Sequence, residues 1–421
     1  MKSVANADLK SALHARGPAA WRDIVDANGR TFRLGPFVAT ADPRVVHEVL
    51  MGREHIRERP VVYKLLSRWM PGQRGMVFVD GEAWKKQARA LLPVFSRPHV
   101  HAISSRVARV VDDHVGRWCQ QGTLTDARES CIQLGADLFV SLAFGLVPGG
   151  SGGAELIGAL RRWLDTQHDP RFRFDDPHIR AGQALTQLPG LVLRSLRTFR
   201  DYQAQRRALV PDGTPPDDSW LGRLGGALAS PDADSAISHL FWAYDALPFV
   251  VSCALLRLGR HPELLPVLHG DVTRGPERAW DIPRVRAFVR EVLRCHPVTM
   301  AVARRTGAPV DVEGERLPAG TELLLLVHAL HHDPASWRHP DEFQPERWLR
   351  GDVVVEGAFI PFLVGPRKCV GQTLAELVLS EVVASVVRRA RVHARDEDPP
   401  LHIFLAPRFR NALPLTFEAV P

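Results

Sequence analysis

The 421 residues, 45% hydrophobic and 24% charged, can bury a large core and exclude a fibrous, collagen-like or disordered chain. The net charge of +7 is carried by dispersed Arg and Lys without a long basic tract or zinc-finger spacing, which argues against nucleic acid and for a basic patch that meets an acidic protein. Five scattered cysteines, Cys119, Cys131, Cys253, Cys295 and Cys369, form no disulfide framework, so a reducing, cytoplasmic setting is expected.

The opening "MKSVANADLKSALHARG" lacks the apolar run of a signal peptide, and no later segment approaches the ~18 apolar residues of a membrane span, so no membrane association is expected. Next, "TFRLGPFVATADPRVVHEVL" predicts two short strands around Gly35-Pro36 and a helix with Asp42 as N-cap and Pro43 in its first turn. From about Val100 to Arg274 the apolar spacing is mostly helical, broken by loops at Val147–Glu155 and Pro211–Ser219. A helix over Arg284–Cys295 precedes "VDVEGERLPAGTELLLLVHAL", which reads as a hairpin of strands punctuated by Gly314 and Pro318-Ala319-Gly320. A Pro-rich connector, the Cys369 segment, a long helix and a strand pair near "LHIFLAPRFRNALPLTF" complete the chain. Strands at the ends with helices between them predict a mainly α fold with a small β lobe (α+β) rather than alternating βαβ units.

The segment "FIPFLVGPRKCVGQTLAE" places Cys369 between a Gly365-Pro366 turn and a long apolar helix. An isolated cysteine is ordinarily a small buried hydrophobe. Here Arg367 and Lys368 add positive charge, Gly371 permits close backbone approach, and a following helix N-terminus favours thiolate over thiol. No second cysteine lies nearby for a zinc or iron–sulfur site, and no base partner is evident locally. A single axial thiolate on haem iron, which favours O–O cleavage, is the ligand chemistry that remains.

Phe362 to Gly371, "FLVGPRKCVG", resembles the haem-binding signature of the cytochrome P450 family, F-x-x-G-x-R-x-C-x-G. "EVLR", Glu291 to Arg294, is similar to that family's E-x-x-R helix motif, and "PERW", Pro345 to Trp348, to the segment whose arginine, here Arg347, joins the pair. The resemblance implies haem b bound through Cys369, with Phe362, Gly365, Arg367 and Gly371 shaping the loop. It also implies propionate donors at Arg304, with Arg305 beside it, and at Arg367. Trp84 matches the start of the family's W-x-x-x-R, but Ala88 stands where the arginine is expected and Arg89 comes one residue late. Trp84 and Arg89 are the candidates for that contact. A single domain is expected over 1–421, its β-rich lobe mainly 28–60, 308–330 and 400–421, its helical lobe mainly 82–300 and 370–394.

Members of the family usually carry an acid–alcohol pair in a long distal helix to relay protons during oxygen activation. The corresponding segment is "AISHLFWAYDALPFVVSCALLRLGRHPE", Ala236 to Glu263. An ungapped register puts Asp245 at the acid, Ala246 at the alcohol and Trp242 above the iron; a slip of one residue, which Pro248 favours, puts Ala243 there and Ala246-Leu247 at the relay. Neither register supplies a hydroxyl. His239 shares a helix face with Trp242 and Ala243 and is a candidate substrate contact, against an ordinary satisfied or exposed role. Further substrate contacts are expected from Val61–Phe78, Asp165–His178, Val298–Val302 and the turn near Phe404.

Without the relay, protons must come through water or from the substrate itself, and a substrate that takes part in its own activation suits oxidative decarboxylation, ring closure or C–C cleavage better than hydroxylation of an inert alkane. A carboxylate suited to oxidative decarboxylation meets this need, and the distal helix is similar to that of enzymes acting on the terminal thiazoline of bottromycin-type peptides. The expected role is a monooxygenase or oxidase of bacterial natural-product and antibiotic biosynthesis, with a small-molecule or peptide substrate. The alternatives are a C–H hydroxylase of a polyketide or terpenoid and a non-catalytic haem-binding or sensor protein.

No dinucleotide or flavin fingerprint appears, so electrons are expected from a ferredoxin or flavodoxin with its reductase. Lys85, Lys86, Arg89 and Lys368 are candidates for its basic docking face on a monomeric protein. A zinc site at His328, His331 and His332 fits the spacing, but "LLLLVHALHHDP" reads more readily as a strand leading into a turn, with no fourth ligand.

Overall fold

The structure, a computed structural model, describes residues 1–52, 76, 79–147, 153–167, 181–209, 219–225, 246–352, 355–397, 399–403 and 407–420. The chain divides into two compact units, one of Met1–Glu58, Val107–Cys131 and Ala246–Pro421, the other of Arg59–Arg106 and Ile132–Asp245.

The first unit is organised around a five-stranded sheet. Strands β2 (Thr31–Leu34) and β3 (Phe37–Thr40) form a hairpin in which Leu34 pairs with Phe37. Gly35 at φ 54 supplies the left-handed residue that a two-residue turn ahead of Pro36 requires. The helix Pro43–Met51 follows, and the Asp42 carboxylate accepts from the N–H groups of Arg44 and Val45 at 2.9 and 3.1 Å, as the N-cap pattern predicts. Strand β1 (Ser3–Val4) lies parallel to β2, and β8 (Glu322–Leu325) lies parallel to β3 and antiparallel to β5 (Val302–Arg305), giving the order β1-β2-β3-β8-β5. Val38, Leu323 and Leu325 enter one apolar cluster with Val46, Leu50, Trp337 and Ile360. Phe32, Leu34 and Ala39 enter another with Trp21, Ile24 and Leu326. The sheet is therefore buried on both faces, which is why "ELLLL" is an apolar run rather than an alternating one.

The predicted hairpin is β6 (Val310–Val312) against β7 (Glu315–Leu317), turning at Glu313 and Gly314, φ 49 and 80. Strand β8 leaves it to join the large sheet. The "LLLLVHALHHDP" segment corrects the expectation of a strand leading into a turn: β8 stops where its partner β3 stops, at the Thr40–Leu325 pair, and Val327–His331 is helical.

Short strands β4 (Thr123–Leu124), β9 (Ala390–His393) and β12 (Leu415–Ala419) form a three-stranded sheet, and β10 (Leu401–Ile403) pairs with β11 (Pro407–Phe409). The long helix Gln372–Arg389 is apolar around most of its circumference and buried from Leu377 to Val387 except at Glu381, as a core helix must be. The second unit is helical among its described residues, where the Gly153–Gln167 and Ala181–Leu209 helices pack through Trp163 and Phe199, ring centroids 5.1 Å apart. Gly153, Ala154 and Glu155 thus belong to a helix rather than to the predicted loop. Among the described residues no helix is long and apolar enough to cross a membrane.

Candidate functional site

The Cys369 loop is built by turns that leave its glycines unequal. Gly365 takes φ 80, and its carbonyl accepts from the Lys368 N–H at 3.1 Å to close a turn with Pro366 and Arg367 at its centre. A Cβ at position 365 would lie 2.2 Å from the backbone oxygen of Leu50, so both conformation and space demand glycine. Gly371 is less constrained. Its φ is −82 and a Cβ there would meet only the Cys369 sulfur, at an ordinary 3.8 Å. Leu363, at φ 59, carries the strain of the loop. The Phe362 carbonyl accepts from the Cys369 N–H at 2.8 Å, and the Gly371 N–H donates to the sulfur immediately before the Gln372–Arg389 helix begins.

Cys369 itself is exposed, whereas Cys131, Cys253 and Cys295 are buried. Even so, the protein atoms around the thiol desolvate it, and this pushes its pKa up, with only the Gly371 N–H opposing. Desolvation therefore favours the thiol, while the N–H ahead of the helix acts in the expected direction, toward thiolate. A metal ion would have to displace the proton.

Behind the loop, Glu291 and Arg294 sit on the helix Pro283–Cys295, both 0% exposed, with Arg347 at 2%. Glu291 Oε1 accepts from Arg294 Nη2 (2.8 Å), Arg347 Nε (3.1 Å) and the Gln344 N–H (3.0 Å). Its Oε2 accepts from Arg294 Nε (3.0 Å) and Trp348 Nε1 (2.9 Å). The second guanidinium charge has no second carboxylate in these bonds and is met by dipoles. Arg294 donates to the carbonyls of His331, Pro340 and Glu342, and Arg347 to those of Arg338 and His339. The structure thus joins the three charged residues. Sequence reasoning missed Trp348, whose only signal was its place beside Arg347, and the Leu50 carbonyl, which had none.

Arg304 lies on β5, 6% exposed, and donates to the Ala303 carbonyl at 2.9 Å. Arg367 is half-buried in the cysteine turn. Trp84, half-buried, and Arg89, exposed, lie on the helix Gly81–Val94 of the second unit, where Ala88 is buried. Ala246 and Leu247 are half-buried in a helical segment over 246–260, and the Ser252 hydroxyl of that segment is spent on the Pro248 carbonyl at 2.8 Å. His239, Trp242, Ala243 and Asp245 lie outside the described residues, as do Phe404 and most of the 61–78 and 165–178 segments.

The proposed zinc ligands fail on geometry. His331 uses both ring nitrogens on backbone groups, and among the described residues no group of three His, Cys, Asp or Glu could hold a metal.

Residues 235–411 match the family model described as Cytochrome P450. The chain is 23% identical to Cytochrome P450 4d8 of Drosophila melanogaster, with 83% of this chain and 85% of that one covered. It is 26% identical to the mitochondrial 25-hydroxyvitamin D-1 alpha hydroxylase of Rattus norvegicus, with 90% and 83% covered. A crystal structure described as a 6-coordinated cytochrome P450 from Thermus thermophilus superposes with a TM-score of 0.74 at 21% identity, over 99% of this chain and 100% of that one.

The chain belongs to the cytochrome P450 family. As a cytochrome P450 it is a monooxygenase that uses haem and receives its electrons from a redox partner. The donor set at the P450 loop fits that group. A lone thiol with an exposed face and one N–H on its sulfur suits a haem that would be held through a single thiolate, and among the described residues no cluster of His, Cys, Asp or Glu could hold another metal.

Proposed function

We propose that this P450 binds haem b through Cys369 and catalyses an oxidative step of bacterial natural-product biosynthesis on a carboxylate-bearing substrate, with decarboxylation as the favoured outcome. The observation that carries the haem assignment is the Cys369 loop, wedged by Gly365 against Leu50 and ending on the Gly371 N–H. Phe362, Gly365 and Gly371 shape it, while Arg304 and Arg367 supply cations for the propionates. Trp84 and Arg89 enter this reading from the sequence resemblance. One P450 domain spanning the chain agrees with the 99% coverage by a solved P450.

Haem, when bound, supplies the oxygen chemistry. The chain supplies little for proton delivery at positions 246 and 247, since Ala and Leu carry no exchangeable side-chain proton and Ser252 is already bonded. A substrate carboxylate meets this lack by bringing its own ionisable group. Asp245, Ala243 and His239 complete the distal set on sequence grounds. Lys368, exposed beside the cysteine, fits an acidic ferredoxin or flavodoxin, and coupling to that partner should weaken as salt rises.

The test supplies O2, a ferredoxin and its reductase to the haem-loaded protein, together with carboxylate-bearing thiazoline peptides. Carbon dioxide release matched to product is expected. A hydroxylated product retaining the carboxylate would favour the C–H hydroxylase reading, and electron flow without product the sensor reading. Ala246→Thr or Leu247→Thr should leave the coupling of electrons to product unchanged; a marked rise would show that a relay was missing rather than bypassed. The Cys369→Ser variant should lose the red-shifted Soret band of the reduced carbon monoxide complex.

A further inference from the structure

We propose that His331 is a positioning residue that ties the Cys369 loop to the Glu291–Arg294–Arg347 network and so holds the sulfur in register; this rests on the reading of Cys369 given above. His331 closes the Val327–His331 helix and is 0% exposed. Its Nδ1 lies 3.1 Å from the Arg294 carbonyl and its Nε2 lies 3.0 Å from the Ile360 N–H. The carbonyl can only accept and the amide can only donate, so one neutral tautomer, with its proton on Nδ1, satisfies both. Arg294 Nη1 returns a bond to the His331 carbonyl at 2.9 Å. The imidazole also stacks on Phe359, centroids 5.6 Å apart, and Phe359 in turn meets Trp348 at 4.6 Å.

On the other side, the Ile360 carbonyl accepts from Leu363, and the Phe362 carbonyl accepts from Cys369. The His331 bond therefore anchors the first of a short series of backbone bonds that ends at the ligand residue. Burial pushes the ring's pKa down to about 3, so it remains neutral and able to accept at ordinary pH.

The test compares wild type, His331→Ala and His331→Gln after haem loading, by melting temperature, by hydrogen exchange of the 359–363 peptide and by the reduced carbon monoxide spectrum. The Ile360 amide of wild type is expected to exchange only with global unfolding. The Ala variant should exchange roughly 5- to 10-fold faster, the change expected for one lost buried hydrogen bond, and should show a larger share of carbon monoxide complex without the thiolate band. The Gln variant, whose Oε1 can reach the same N–H, should recover both. The proposal is overturned if folded, haem-loaded Ala protein matches wild type, if Gln is no better than Ala, or if the wild-type Ile360 amide exchanges as a surface amide. Should the Ala variant not fold, the last two readouts decide. A wild type without any thiolate band sinks the Cys369 assignment, while Ile360 exchange still reports on His331.

Discussion

Glu291 accepts five hydrogen bonds while fully buried, and two guanidiniums depend on it. Replacing it by Gln keeps the shape and leaves both cations without their counter-charge. Glu291→Gln should therefore lower unfolding free energy by about 3–5 kcal/mol, measured by urea denaturation. A loss below ~1 kcal/mol would mean that the carbonyl ring alone stabilises the arginines. Gly365 is constrained differently, by a left-handed φ and by the Leu50 oxygen. Gly365→Ala should cost about 1–3 kcal/mol and lower haem occupancy, read from the ratio of Soret to protein absorbance. Full occupancy with an unchanged melting temperature would show that the loop can move away from Leu50.

At the scale of elements, close packing fixes where helices and strands meet. Gly259, in the 246–260 segment, would place a Cβ 2.8 Å from that of Ala394 and 2.9 Å from its nitrogen, just past β9. Gly259→Val should destabilise by about 1–3 kcal/mol in a thermal melt. A neutral result would place slack between that segment and the chain after β9. The sequence made visible those elements whose cause is local. The Gly35-Pro36 hairpin, the Asp42 cap and the Phe362–Gly371 loop are written in consecutive residues with specific turn and cap chemistry. Elements defined by distant partners were hidden: β5 and β9 are four residues long each and are strands because of what they pair with. The helix start at Gly153 ran against glycine's poor propensity. His331 was visible only as a zinc candidate and Trp348 only as the end of the "PERW" segment until folding brought Ile360 and Glu291 to them.

For the whole molecule, buried histidines set the acid limit. His328 and His331 are buried, His296 and His332 half-buried, and in all four desolvation pushes the pKa below its ordinary 6.5, to about 3 for His331 and His332. The unfolded chain then binds more protons than the native one in this range, so stability is full above about pH 6.5 and drains away as pH falls toward 3. Each histidine contributes up to about 1.4 kcal/mol per pH unit. Glu381 opposes them, since burial raises its carboxyl to about 7 and it favours the native state more as pH falls from 7 to 4.5. Chemical denaturation from pH 7 to 4 should show a net fall, and a flat profile would mean that the histidines reach water.

The central sheet also dictates when the molecule can form. Strand β3 pairs with β8, and Thr31 bonds Glu313, 282 residues further on. At ribosomal speeds of about 5–20 residues per second, the amino-terminal hairpin waits on the order of 15–60 s for its neighbour to be synthesised. During that interval β3 emerges with its β8 edge unpaired and Val38 without Leu323 and Leu325, so nascent chains should call on trigger-type chaperones, and stalled translation before residue 320 should yield protease-sensitive product.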